Sequence, residues 1–363
     1  MPRVLHVVGT RPNFTKIASL VPALRAYPEI DQRLVHTGQH FDAAMSQIFF
    51  DELELPAPDR ALACGGGSQA TQTAAVMVAV ERVLLEDEPD LVVVVGDVTS
   101  TLAAALAAAK LGVPVAHVES GLRSFDMTMP EEINRLVTDR LSTLLLATCD
   151  AAAAQLRREG LPESSIAVVG DLAIDTLLRH REAAPWTATR EALDLDDRGY
   201  AVLTLHRQGT VDHPDRLRAL LNRLRVVSRH LPVIFPVHPR TAQRLSACGL
   251  DPGAFGLRAI APLGYRAFVA LMDHAACVLT DSGGMQAETT ALGVACFTLR
   301  DNTERPATVT HGTNALVMAD GRGLDAAFAE WQRTGAARPA SVSSLWDGDA
   351  GRRSAAAIAA CLP

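Results

Sequence analysis

LVVVVGDVTSTLAAALAAAKLGVPVAHVES, residues 91–120, decides the fold class. An unbroken apolar run ends in Gly96-Asp97, an alanine-rich helical stretch follows over 100–111, and a second apolar run over 113–119 ends in Glu119. A strand with one wet face would alternate apolar and polar residues. These runs do not alternate, so both faces are covered, as in a parallel sheet flanked by helices. Outward from this unit, VLHVVG (4–9), a helix predicted over Asn13 to Ala26 and RLVHTG (33–38) repeat the pattern. It restarts in IAVVGD (166–171), YAVLTLHR (200–207), PVIFPVHP (232–239), CVLTDSGG (277–284) and VACFTLRD (294–301). Two successive β/α series in 363 residues predict an α/β protein of two doubly wound, Rossmann-like domains. The polar, mixed stretch over 172–198 supplies the boundary. The first domain is expected over 1–172, with a C-terminal helix at about 350–363 packing back on it, and the second over 173–349.

The composition narrows the partners. A net charge of −7 argues against nucleic acid, and no Lys/Arg-rich run addresses a membrane surface. Lysine occurs only at positions 16 and 110, an arginine bias better ascribed to genomic base composition than to function. The six cysteines form no CxxC pair, which favours isolated thiols in a reducing compartment over disulfides or zinc. MPRVLHVVG reads as a first strand and lacks the parts of a signal peptide, and no apolar run approaches the roughly 18 residues of a membrane span. A cytoplasmic protein is expected.

In doubly wound folds ligands bind beyond the carboxyl ends of the strands, and two such domains predict a site in a central cleft. Strand-end polar residues are therefore the candidates. GTRPNFTK (9–16) ends the first strand and opens a helix, so Arg11 and Lys16 surround a place that welcomes an anion, though the stretch is not the GxGxxG of dinucleotide binders. DSGGMQAETT (281–290) repeats the arrangement. Ser282, Gly283 and Gly284 can offer amide N–H groups to a diphosphate, and Glu288 can accept from ribose hydroxyls; read alone, the glycine pair is equally a tight turn. Asp97 closes the most apolar strand, where it could cap the next helix, but Thr99 and Ser100 could do so too. Glu119 closes the next strand and must face solvent or a site. Thr128-x-x-Glu131 matches a capping box with Pro130 in the first turn, and Glu132 follows as an ordinary first-turn acid before the apolar-periodic INRLVTDRLSTLLL. His206-Arg207 and His238 end two strands of the second series and suit phosphate contact or proton transfer. DLDD (194–197) reads as a solvated turn. With no ligand spacing for a metal elsewhere, arginines and helix ends must neutralise a bound diphosphate, and no cofactor is called for.

Taken together, the chain resembles the non-hydrolysing UDP-N-acetylglucosamine 2-epimerases. The resemblance lies in GTRPNFTKIASLVPAL, TGQHFDAAMSQIFF, GDVTSTLAAALAA, HVESGLRSF, MPEEINRLVTD, LTLHRQGTVD, PVHPRT, LTDSGGMQAETTALG and LRDNTERPATV, in that order and nearly end to end. It implies the two-domain GT-B fold, a UDP-sugar substrate and a homodimer. It also implies a reaction in which UDP is eliminated across C1–C2 to give 2-acetamidoglucal and added back as C2 is protonated on the opposite face. The acid/base roles then fall on Asp97, Glu119 and Glu131, with leaving-group or phosphate assistance from His206. UDP or substrate contact falls on Arg11, Lys16, Arg135, His238, Ser282, Gly283, Gly284 and Glu288. A second, allosteric UDP-GlcNAc site would draw on Gln39 and His40. Asp126 and Glu132 are left as local support, and Arg123 as holding the site together or meeting phosphates.

Departures from the family pattern at Gln208-Gly209-Thr210, Ala287 and Met127 bear on which sugar is accepted. The alternatives are a 2-epimerase of a uronic, 3-acetamido or deoxy derivative, a hydrolysing relative, a GT-B glycosyltransferase using the same UDP cradle, or a non-catalytic binder. The last two have no reason to keep Asp97, Glu119 and Glu131 together.

Overall fold

The computed structural model describes residues 1–39, 43–335 and 342–363. Two compact units divide the chain, Met1–Arg179 with Ser343–Pro363, and His180–Val342.

The first unit runs through β1 (Arg3–Val8), α1 (Arg11–Leu24), β2 (Asp31–His36), α2 (Ala43–Glu52), β3 (Arg60–Ala61), α3 (Gln69–Asp87) and β4 (Leu91–Val95). It continues with α4 (Thr99–Lys110), β5 (Val115–Ser120), α5 (Pro130–Leu141), β6 (Leu144–Ala147), α6 (Asp150–Arg158), β7 (Ile166–Val168) and α7 (Leu172–Arg181). Its seven strands are all parallel in the order β3-β2-β1-β4-β5-β6-β7. Every residue of β4 is buried, because helices cover both faces: Val92 and Val94 join a core with Val76 and Val80 of α3 and Ala103 and Ala104 of α4. The alanines that made 100–111 read as helix let α4 lie close to the sheet. Burying each Val of this core contributes about 1.5–3 kcal/mol.

The second unit contains α8 (Trp186–Leu193), β8 (Ala201–Thr204), α9 (Gln208–Val211), α10 (Pro214–Ser228), β9 (Val233–Pro236), α11 (Pro239–Ala247) and β10 (Leu257–Ile260). After these come α12 (Tyr265–Asp273), β11 (Cys277–Thr280), α13 (Gly283–Leu292), β12 (Ala295–Leu299), α14 (Pro306–Thr310), β13 (Asn314–Val317) and α15 (Leu324–Thr334). Its parallel sheet has the order β10-β9-β8-β11-β12-β13. The last helix, α16 (Ala350–Cys361), returns to the first unit against α1, so tightly that a Cβ on Gly351 would fall 2.6 Å from the Ser19 carbonyl oxygen. The expectation of two parallel, doubly wound sheets is met.

Several local expectations are not. IAVVGD does not open the second series: Ile166–Val168 pairs with β6 and forms the edge of the first sheet. The apolar-periodic stretch after Pro130 is not one helix, because Ser142 turns extended and Leu144–Ala147 becomes a fully buried strand. The polar stretch at 172–198 contains α7 and α8 rather than open linker. Among the described residues no helix is long and apolar enough to cross a membrane.

In each sheet the strand order reverses once, between β1 and β4 and between β8 and β11. Parallel strands deliver their carboxyl ends to one edge, and the crevice at such a reversal is where ligands bind in this architecture.

Candidate active site

At the reversal in the first unit, Asn13 organises the turn after β1. Its Oδ1 accepts from Gly9 N at 3.0 Å and Thr10 N at 3.1 Å, and its Nδ2 donates to the Val95 carbonyl at 2.9 Å. The turn is thereby tied to the end of β4. Gly9 has no room for a side chain, since a Cβ there would collide with Ser100. One turn into α1 the buried Lys16 forms an ion pair with Glu119. Arg11 lies over the Phe49 ring, 5.3 Å from its centroid.

Glu119 is held unusually. Its φ is 71°, in the left-handed region, and the β5–β6 register slips between Val118 and Ser120. Such a bulge turns a side chain away from the direction its strand would give it, and a non-glycine residue there carries about 1–2 kcal/mol of strain. Gly96, also left-handed at φ 68°, leaves the necessary space. A Cβ on it would come within 3.1 Å of Lys16 Nζ and 3.3 Å of Glu119 Oε2.

Asp97 follows directly and pairs with Arg135 of α5, whose guanidinium also meets Glu132 at 2.8 Å. Asn134 donates to the Asp97 carbonyl at 2.7 Å. Glu132 is no ordinary first-turn acid. Its carboxylate accepts from the amides of Ser124 (2.9 Å) and Phe125 (2.8 Å), so it pins the loop entering α5 and orients Arg135. Burial works to raise its carboxyl, but the two N–H groups and Arg135 outweigh it and hold the group below the usual range. Glu131 does not complete the capping box expected from the sequence. The N-cap is Met129, and the Thr128 hydroxyl bonds Asp126 Oδ1 at 2.6 Å instead. The Glu131 side chain, half-buried, lies one turn ahead of Arg135 on the same helix face. Arg123 does not point at phosphates: it is buried on Asp139 and Glu159, each at 2.7 Å.

At the reversal in the second unit, the organising residue is Asp281, which the sequence reading passed over. Fully buried, it accepts from the His206 amide at 3.0 Å and the Arg207 amide at 2.9 Å, and it meets His206 Nδ1 at 2.9 Å. Burial works to raise its carboxyl, and His206 together with the two amides keeps it below the usual range. Its position at a strand end, as with Asp97, was the available signal. His206 and His238 come together, ring centroids 6.1 Å apart, and His238 Nδ1 accepts from Arg240 N at the start of α11. Ser282 is the N-cap of α13, with its N–H spent on the Thr280 hydroxyl at 2.9 Å. A Cβ on Gly283 would displace the Glu304 carboxylate, whereas Gly284 faces open space. Glu304 is balanced by Arg300 at 2.7 Å and Arg207 at 3.8 Å. Glu288 is half-buried within electrostatic reach of Tyr265, whose hydroxyl is pushed well up by burial and then by that carboxylate.

Of the residues expected at a regulatory site, Gln39 caps α4, its Oε1 accepting from Ser100 N at 2.9 Å, and His40 lies outside the described residues. In DLDD, Asp194 takes the left-handed C-cap of α8 and Asp197 meets His274 at 2.9 Å.

Comparison with known proteins gives this arrangement its context. The family model for UDP-N-acetylglucosamine 2-epimerase matches residues 22–359. The chain belongs to that family. It is 42% identical over 320 residues to the UDP-N-acetylglucosamine 2-epimerase of Methanocaldococcus jannaschii, covering 86% of this chain and 87% of the relative. It is 40% identical over 320 residues to the UDP-2,3-diacetamido-2,3-dideoxy-D-glucuronate 2-epimerase of Pseudomonas aeruginosa, covering 87% and 88%. A crystal structure of the Methanocaldococcus jannaschii UDP-GlcNAc 2-epimerase in complex with UDP-GlcNAc and UDP superposes with a TM-score of 0.91 at 38% identity, over 99% of each chain. The GT-B-like fold and the isomerase class expected from the sequence are both upheld by this membership.

Proposed function

We propose that the protein interconverts UDP-GlcNAc and UDP-ManNAc. The single observation that carries the reading is the strained Glu119 carboxylate set against Lys16, with the Asp97–Arg135 pair one residue beyond Gly96. A C2 proton with no neighbouring carbonyl is not acidic, so it leaves only as the C1–oxygen bond breaks. A carboxylate takes the proton, the C2–H electron pair forms the C1=C2 double bond of 2-acetamidoglucal, and the diphosphate departs with the C1–oxygen pair. For the reverse addition a second carboxylic acid protonates C2 on the other face while a diphosphate oxygen attacks C1. Asp97, Glu119 and Glu131 form the acid/base set.

The second unit holds UDP in this reading. The α13 N-terminus receives the diphosphate through the Gly283 and Gly284 amides and the Ser282 hydroxyl, His206 and His238 assist its departure, and Glu288 accepts from the ribose. Arg11, Lys16 and Arg135 supply positive charge to substrate or to the carboxylates. The same reading carries a cytoplasmic location and a homodimer, the latter checked by sedimentation.

A second substrate class is favoured by one finding, the near-equal identity to the diacetamido-glucuronate epimerase. Incubation with UDP-GlcNAc in D2O, followed by NMR, tests the first reading: deuterium appears at C2 together with UDP-ManNAc. Unlabelled, unchanged UDP-GlcNAc alongside labelled UDP-2,3-diacetamido-glucuronate would move the assignment to the second. Free ManNAc would reveal hydrolysis.

A further inference from the structure

Asp97 and Glu119 depend on three departures from strand geometry at the ends of two neighbouring strands: Gly96 (φ 68°), Glu119 (φ 71°) and Gly121 (φ 82°). Such turns drift unless their backbone groups are fixed. The group that fixes them is His117, fully buried on β5. Its Nε2 lies 2.7 Å from the Gly96 carbonyl oxygen and its Nδ1 lies 2.6 Å from Asp139 Oδ1. Asp139 Oδ2 in turn accepts from Gly121 N at 3.1 Å and meets Arg123 at 2.7 Å. One chain of bonds therefore runs from the residue before Asp97 to the residues just after Glu119.

The bond to Gly96 settles which ring nitrogen carries a proton. A carbonyl oxygen can only accept, so Nε2 donates. Burial works to raise the Asp139 carboxyl, but His117 and Arg123 outweigh it and keep the group below the usual range. Both ring nitrogens are engaged, Nε2 with the Gly96 carbonyl and Nδ1 with the Asp139 carboxyl group. The charged groups around the ring are Asp139 from α5, with Arg123 and then Glu159 behind it, and beyond Gly96 the Lys16–Glu119 and Asp97–Arg135 pairs, with Glu132 also on Arg135.

We propose that His117 and Asp139 are positioning residues, a buried imidazole–carboxyl pair that holds the Gly96 carbonyl and the Gly121 amide and thereby aims Asp97 and Glu119. The proposal rests on reading those two carboxylates as part of the acid/base set. A glutamine carries both its N–H groups on one nitrogen and cannot span acceptors that face opposite nitrogens of the ring, so the link between the Gly96 carbonyl and Asp139 is broken. The UDP-binding groups assigned to the second unit make none of these bonds.

The test uses the full chain. His117→Gln and Asp139→Asn should lower kcat and the rate of C2 deuterium exchange together, by about 100-fold. KM for UDP-GlcNAc and the Kd for UDP should stay within about threefold. A folded variant that keeps kcat within about threefold, or that loses KM instead of kcat, overturns the proposal. Ring 15N shifts of His117 in the unmodified protein give a readout independent of variant folding. Nε2 should carry the proton that it donates to the Gly96 carbonyl, and an unprotonated Nε2 overturns the proposal as well. If the unmodified protein puts no deuterium into UDP-GlcNAc, the functional reading fails for that substrate, while the ring nitrogens still decide whether the pair exists.

Discussion

Glu119 meets Lys16 only because its backbone has left the strand conformation. The ion pair joins the end of β5 to the second turn of α1, and the left-handed φ of 71° is what aims the carboxylate there. Strain has been accepted at the residue whose placement matters most to the proposed chemistry.

Replacing Glu119 by glycine or by alanine separates backbone from side chain. Both variants lose the carboxylate and leave Lys16 in the same position. Glycine takes the left-handed conformation freely, whereas alanine keeps the steric conflict. Glu119→Gly should therefore be the more stable in urea denaturation, by up to about 1 kcal/mol once the flexibility of glycine in the unfolded chain is deducted. Equal midpoints would show that the bulge relaxes when the pair is gone.

Lys16 and Glu119 should behave as one unit. Lys16→Met or Glu119→Gln each removes half of a buried pair and should cost about 3 kcal/mol. The double variant should cost less than the sum by about 1 kcal/mol or more, because no charge is then left alone. Additive losses would mean that the two groups are stabilised independently. Neither single variant should support C2 exchange.

The strands were legible in the sequence because burial on both faces leaves no polar residue in runs such as 91–95. What escaped was decided by partners distant in sequence. Residues 144–147 follow a helix without punctuation, and only pairing with β5 and β7 makes them a strand. The capping box at Thr128 failed because Asp126 claimed the hydroxyl. Glu131, Glu132 and Arg135 were all visible as charges, yet that Glu132 would spend its carboxylate on two loop amides depends on the path of 121–129, which no local pattern encodes. Asp281 was hidden by the more conspicuous glycines after it.

Asp281→Asn tests the second unit by itself. The amide can still accept from the His206 and Arg207 N–H groups, but it loses the charge that orients the His206 ring. UDP affinity, measured by calorimetry, should fall by about tenfold, consistent with the roughly 1.5–3 kcal/mol of a charged hydrogen bond. An unchanged affinity would remove His206 from the diphosphate-binding set.

Two buried groups give stability opposite pH dependences. Burial lowers the His6 imidazole from 6.5 to about 4, the hydrogen bond it donates to Gln32 only partly opposing it. The unfolded chain takes up that proton first on acidification, so stability present above pH 6.5 is lost as pH falls toward 4, by up to about 3 kcal/mol. Removing the imidazole in His6→Gln should flatten this limb in thermal melts.

Asp175 runs the other way. Burial raises its carboxyl from 3.8 to about 6, although the amides of Gly351 and Ala350 pull it down. Here the folded state holds the proton longer, so its contribution is complete below about pH 4 and is lost as pH rises through 6, by up to about 3 kcal/mol. Asp175→Asn should match the unmodified protein at the acid end and exceed it in melting temperature at neutral pH. A variant less stable at neutral pH would show that the charged carboxylate is worth more to the α16 amides than burial costs it.

The seating of α16 on α1 and on Asp175 also bears on synthesis. The helix that completes the first unit leaves the ribosome after the whole of the second unit has been made. At typical elongation rates the α1 surface around Ser19 waits on the order of ten seconds or more for its cover. During that interval the second unit can fold, while the unit bearing Glu119 and Asp97 remains open to chaperones and to proteolysis.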